Sequence, residues 1–424
     1  MPKIFHFLSF CFFITLLVSC GSDPDPVYPP EDAVNRVMDF YVFNDGKTFL
    51  YLNSNMNRQY DFGELVLMEI DDDGDLIFKD SLLVPSITGK MKVTSDEKSV
   101  FVATRDKSGI VAAKISGKPG SYRLQYESGM KGDYPDVLET KKEPYSLELN
   151  EDESKLMVTH ILNGELSVVD IRDWKVIKTV KLKYGVTEII YDKNSGYFLA
   201  SHKSSGSISL IEARDTLEDF EVKTRELPID LPTNGFDVRS IKQASGDGSV
   251  FYAAFQNSYS ESSYDYTYDE DTAPQIVTLK LEDKELKIER TLALSGTIGE
   301  LAVLPYSSGV SDAKEESDSD TADESDVSGE TEENKTAKRI GDLIFVSVSN
   351  DEKVLVIDSA RNSIRDEISY KDDKKDCKPY QLYAKSTGNT TGYLFVSCFQ
   401  NDRVYIYGID LMSEEIIKKI GVLE

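Results

Sequence analysis

Two histidines, two cysteines, three carboxylates and four tyrosines are the side chains here whose types and spacing invite a chemical reading. His160 and His202 each close a short apolar run, at matching positions 42 residues apart. Paired imidazoles are the start of a metal site, but zinc or copper would need a third His or a carboxylate at a comparable position, and none stands there. The plainer expectation is two polar rim residues on a binding face. Glu188, Asp237 and Glu300 each stand near the start of an apolar strand. If those strands converge, the carboxylates repel one another unless a cation such as Ca²⁺ or water screens them. Cys377 and Cys398 flank two consecutive short strands, so an antiparallel hairpin would bring their sulfurs together as a disulfide. Tyr259, Tyr264, Tyr266 and Tyr268 crowd a segment with five acids and no base, the composition of an adaptable binding surface.

Catalytic chemistry finds little support. There is no Gly-x-Ser-x-Gly elbow, no Cys-x-x-Cys-His and no glycine-rich phosphate loop. No catalytic residue and no cofactor is assigned from the sequence. With 75 Asp plus Glu against 48 Lys plus Arg, the net charge of -27 repels a phosphate backbone, which excludes nucleic acid as the main partner.

The N-terminus reads as an address. Lys3 precedes an apolar run from Ile4 to Val18, too short to span a bilayer and of the length of a signal-peptide core. It ends in Leu17-Val18-Ser19-Cys20, followed by Gly21. This resembles the lipobox of bacterial lipoproteins, which implies that residues 1–19 are removed and that Cys20 is acylated. Gly21 stands where that family places an Asp for inner-membrane retention, so the resemblance implies the outer membrane, on its periplasmic or its outer surface. Residues 20–33, with Pro24, Pro26, Pro29 and Pro30, then read as an extended tether. His6 and Cys11 leave with the leader and Cys20 is consumed by lipid, leaving two His and two Cys.

From residue 34 onward the chain repeats. Pro144-Tyr145-Ser146-Leu147-Glu148-Leu149, Leu156-Met157-Val158-Thr159, Leu166-Ser167-Val168-Val169-Asp170 and Val176-Ile177-Lys178-Thr179-Val180 are four strands with turn residues between them. The next unit copies them after 42 residues, the period of a β-propeller blade. Second strands recur seven times, at 49–52, 100–103, 156–159, 198–201, 250–254, 343–347 and 394–397. Turns such as Asp45-Gly46, Ser195-Gly196 and Asp247-Gly248 precede several of them. The third strands Val354-Leu355-Val356-Ile357-Asp358 and Val404-Tyr405-Ile406-Tyr407 complete a pattern that is similar to the YVTN-type, YncE-like propellers. The expected fold class is all-β, a propeller of four-stranded antiparallel blades, seven in number, over residues 34–424.

Two insertions break the period. Residues 307–338 carry eleven acids between the first and second strands of blade six and should be disordered. Residues 257–274, with the four tyrosines, join the second and third strands of blade five. In a propeller, second-to-third connections and blade-to-blade connections share one face. The tyrosine segment is therefore expected on that upper face and the acidic one on the lower. A rigid platform without catalytic groups points to a non-catalytic binding or scaffold module for an envelope protein or glycan, touching the membrane through its anchor only. The YVTN resemblance also implies a second reading, a lactonase-like hydrolase with Glu and Arg at the channel mouth.

Overall fold

The computed structural model describes residues 26–424, apart from 32, 72, 128–129, 132–133, 204, 216–219, 230–235, 246–247, 258–272, 308–339, 372–376, 389 and 414. The apolar N-terminal run with Cys20, residues 258–272 with the four tyrosines, and residues 308–338 with the acidic cluster thus lie outside the described residues.

Seven antiparallel sheets follow one another along the chain, each built from consecutive strands. They occupy 37–85, 88–139, 144–181, 186–228, 236–293, 298–369 and 379–423, which we number as blades one to seven. All seven second strands expected from the repeat are present, and the two insertions fall between the expected strands. Blade two departs from the pattern. Arg123–Tyr126 pairs with one half of the third strand and Leu138–Glu139 with the other, and the hairpin of Met130–Lys131 with Tyr134–Pro135 lies between them.

Side-chain pattern explains the stacking. Second strands are buried on both faces, as in Lys155–His160, where every residue is buried, because a neighbouring blade covers each side. Fourth strands such as Ser363–Ser369 are exposed along nearly their whole length, because nothing lies outside them. Seven apolar clusters result, one at each blade junction. The junction that closes the ring brings Val37, Phe49 and Val66 of blade one against Phe395, Val404 and Ile406 of blade seven.

Among the described residues no strand is exchanged between the first and last blades to close the ring. Side chains do it instead: Ser397 Oγ donates to the Val37 carbonyl at 3.0 Å, and the Arg36 backbone N–H donates to Asp402 at 3.0 Å. Arg36 also lies over the Phe399 ring. Beside this seam Cys377 and Cys398 form the expected disulfide, which ties the entry of blade seven to the end of its second strand. Of the residues read as an extended tether, Val27 and Tyr28 rest on the body. Val27 N–H donates to Asp61 at 2.7 Å, the Asp61 N–H returns to the Val27 carbonyl, and the Tyr28 ring stacks on Phe62 at 5.3 Å. No helix among the described residues is long and apolar enough to cross a membrane.

Candidate functional site

The seven first strands line the central channel, and each is bulged at the same place. A bulge turns an extra side chain and breaks the strict in-and-out alternation. The equivalent position just after it is held in turn by Asp39, Lys90, Ser146, Glu188, Ser240, Glu300 and Gln381. Blade two reaches its place in this ring through Gly89. A Cβ there would stand 2.4 Å from the Tyr145 carbonyl oxygen of blade three, so only glycine fits.

Four of the channel groups form a closed ionic square across blades two, four, five and six. Lys90 Nζ lies 3.1 Å from Glu188 and 2.7 Å from Glu300. Lys242, two residues beyond the bulge of blade five, reaches back to Glu300 at 3.0 Å and to Glu188. The other oxygen of Glu188 accepts from Ser240 Oγ and from the Ile241 N–H, both at 2.8 Å. Burial alone would raise the Glu188 carboxyl, but the ammonium groups of Lys242 and Lys90 outweigh it and hold the acid below its usual range. Burial likewise works against charge on Lys90, and Glu188 with Glu300 outweighs it, so its affinity for the proton rises. Asp39 behaves in the opposite way. It accepts the Met91 N–H at 2.9 Å, but burial dominates and raises its carboxyl despite Lys90 and Lys242 nearby.

The square divides the channel. Above it is a mouth of about 160 Å³ lined by Tyr145, Lys203, Arg239 and Tyr380. Below it is a cavity of about 370 Å³ lined by Asp39, Tyr41, Lys92, Glu148 and Tyr383. Lys92 and Glu148 pair with one another there.

The structure brings together two of the three carboxylates singled out from the sequence. Glu188 and Glu300 share the channel centre, with the place expected for a metal cation taken by two lysines. Asp237 instead faces Arg239, 3.3 Å away. Among the described residues no group of three His, Cys, Asp or Glu is placed to hold a metal.

His160 and His202 are not rim groups: both are fully buried within blades three and four. A carbonyl only accepts, so His160 Nδ1 donates to the Lys142 carbonyl at 3.2 Å, and Nε2 accepts from Ser167 at 2.9 Å. His202 Nε2 meets Ser209 at 2.7 Å in the equivalent place. Burial drives His160 down to about 4 and lowers His202 as well, so both imidazoles are neutral. The seven-residue spacing of His and Ser marks a strand-to-strand brace, which corrects the reading of these residues as binding groups. Tyr259, Tyr264, Tyr266 and Tyr268 lie outside the described residues.

Sequence reasoning missed Lys90, Lys242 and Asp39. A signal was present: Gly89-Lys90-Met91-Lys92-Val93 and Ser240-Ile241-Lys242 alternate a base with apolar residues in first strands, where a solvent-facing side does not exist.

No family model matches the chain, and no curated protein matches it. Solved structures resemble it in fold. Hydrazine synthase of Kuenenia stuttgartiensis aligns over 91% of this chain and 98% of its own, at a TM-score of 0.58 and 10% identity. The periplasmic gluconolactonase of Pseudomonas aeruginosa aligns over 89% and 96%, at 0.57 and 15%. A functionally unknown protein from Desulfotomaculum acetoxidans aligns over 91% and 94%, at 0.53 and 11%. At these identities the likeness concerns the propeller alone.

Proposed function

We propose that this chain is a YVTN-type, YncE-like lipoprotein of the cell envelope. It is processed and acylated at Cys20, held at the outer membrane, and its propeller is a non-catalytic binding module for an envelope protein or glycan. The observation that carries the non-catalytic reading is the ionic square. Each central carboxylate is engaged by two lysines, so neither Glu188 nor Glu300 is a free base poised to accept a proton from water. The apolar run before Cys20 supports the anchor, and the disulfide fits an oxidising compartment.

The runner-up is a lactonase-like hydrolase, favoured by the convergence of Arg239, Glu188 and Glu300 on the upper mouth and by the fold shared with a gluconolactonase. Two measurements separate the readings. Purified protein incubated with gluconolactone should give hydrolysis no faster than buffer at neutral pH, and crosslinking in intact cells should trap a defined envelope partner. Lactone turnover that disappears in Glu300→Gln would replace the binding module with the hydrolase.

A further inference from the structure

Among the described residues the exposed large apolar side chains are distributed unevenly. Val27, Tyr28, Met56, Leu162, Tyr184 and Tyr380 are exposed on the upper face, with Leu162 at 51% and Tyr184 at 55%. The others lie on fourth strands, at Ile77, Ile288, Ile364 and Ile420, except Met412 on the lower face. Leu162 and Tyr184 belong to adjoining loops of blade three, and Gly164 lets those loops touch. Its φ is +56°, and a Cβ would stand 2.7 Å from the Lys183 carbonyl oxygen.

Charge divides the same way. In a chain of net charge -27, the described upper loops of blades one to four present Arg58, Lys107, Lys141, Lys142, Lys183 and Lys203, all exposed. The described carboxylates of those loops and of the segment leading into blade one are Glu31, Asp61, Asp106 and Glu143; Glu143 is already paired with Arg105 at 2.6 Å, and Lys183 is paired with Glu226. The lower loops of the same blades carry the opposite sign, with Asp71, Asp73 and Asp75 in one turn and Glu151, Asp152 and Glu153 in another.

The anchor approaches on the basic side. Val27 and Tyr28 dock against Asp61 and Phe62, at the upper end of blade one. Residues 21–25 separate Cys20 from Pro26, and a fully extended stretch of that length reaches at most about 20 Å. A body held so closely by its upper face presents that face to the bilayer.

We propose that the upper face of blades one to four is a docking surface for an anionic lipid headgroup layer, which lays the propeller flat on the membrane with its channel mouth toward the lipid. The part of this argument that concerns the tether rests on the reading of Cys20 as the anchor; the charge and apolar asymmetry does not. Tyrosines interspersed with Lys and Arg are the composition of a membrane–water interface. Each base near an anionic surface strengthens binding about five-fold, within a Debye length of about 8 Å at physiological salt. The acidic lower face is repelled by the same surface, so charge selects one orientation.

Amide hydrogen exchange on the full chain tests this, with vesicles of phosphatidylcholine alone and of phosphatidylcholine with about a third phosphatidylglycerol. The expected result is slower exchange in the loops at 140–143, 161–164 and 182–185 with the anionic vesicles only, abolished by high salt, with 71–75 and 150–154 unchanged. A Lys141→Glu/Lys142→Glu/Lys203→Glu variant, checked for unchanged melting, should lose this protection. Protection equal in both vesicle types, equal on both faces, or absent with anionic vesicles overturns the proposal. The mass of the N-terminal peptide reads acylation separately. A chain without acyl groups refutes the anchor, and its exchange pattern on the same vesicles still decides the docking face.

Discussion

The ionic square of the channel and the His–Ser braces of blades three and four are both buried polar clusters, yet they answer burial in opposite ways. In the square four charges meet at once, so the coulombic attraction of Lys242 and Lys90 outweighs the burial that would raise Glu188. In the His160 brace a single imidazole faces a hydroxyl and a carbonyl, the backbone carbonyl and nearby Glu165 offset desolvation only in part, and His160 surrenders its charge. Whether a buried group keeps its charge is thus decided by how many opposite charges the fold brings within reach. The square requires four blades to be in place, whereas each brace is complete within its own blade.

The largest effect follows from breaking the square on one side. Glu188→Gln leaves Lys90 and Lys242 with Glu300 as their shared ion-pair partner and replaces the charged acceptor of the Ser240 and Ile241 hydrogen bonds with a neutral amide oxygen. Removing one partner of a buried ion pair costs about 3–5 kcal/mol, and denaturant unfolding should show a loss of that size. Adding Lys90→Met should return more than half of the loss, because the Lys242–Glu300 pair then stands balanced by itself. A double variant no more stable than Glu188→Gln would show that the four groups do not act as one unit.

Acid separates the two clusters by pH. His160 has an ordinary value of 6.5 and stands at about 4 in the folded protein. Its contribution is fully present above pH 6.5 and is lost as the pH falls toward 4, which amounts to about 3 kcal/mol for a residue with no exposed surface. His202 shifts in the same direction. Glu188 is lowered from 4.5, so its contribution persists until the pH drops below that value. Between pH 6.5 and 4.5 the braces should therefore lower the melting temperature by several degrees, against the opposite contribution of Asp39, whose raised carboxyl favours the folded state as the pH falls. A His160→Gln/His202→Gln variant should lose that fall, and a variant that keeps the wild-type slope would show that other groups take up the protons.

How much of this was legible in the sequence follows from the same contrast. The blades could be read because strand alternation, Gly turns and a 42-residue repeat are local, and Cys377 with Cys398 could be paired because both belong to one hairpin. Glu188 and Glu300 were legible as channel residues because they begin first strands of equivalent register. Their lysine partners were not, since Lys90 lies 98 residues from Glu188 and 210 from Glu300, and only ring closure brings them together. His160 and His202 were placed one step too far out. The strand runs on through the histidine, which pairs with Pro144 and Glu165 across the sheet instead of leaving it. Asp39 and the split outer strand of blade two carried no local mark at all.

The smallest effect gives the sharpest comparison, because the same change is made in both clusters. Ser240 and Ser167 are each fully buried, and each bonds a neighbour, Glu188 at 2.8 Å and His160 at 2.9 Å respectively. The two hydroxyls differ chiefly in the charge of their acceptor. A hydrogen bond to an ionised group contributes about 1.5–3 kcal/mol, whereas one between neutral groups contributes about 1 kcal/mol. Ser240→Ala should therefore destabilise about twice as much as Ser167→Ala at pH 7 in denaturant unfolding. The gap should close only as the pH approaches about 2, where Glu188 takes up its proton in the folded protein and its oxygen becomes a neutral acceptor. Equal losses at neutral pH would mean that the square holds its carboxylate by coulombic attraction alone and that Ser240 adds nothing beyond an ordinary buried hydroxyl.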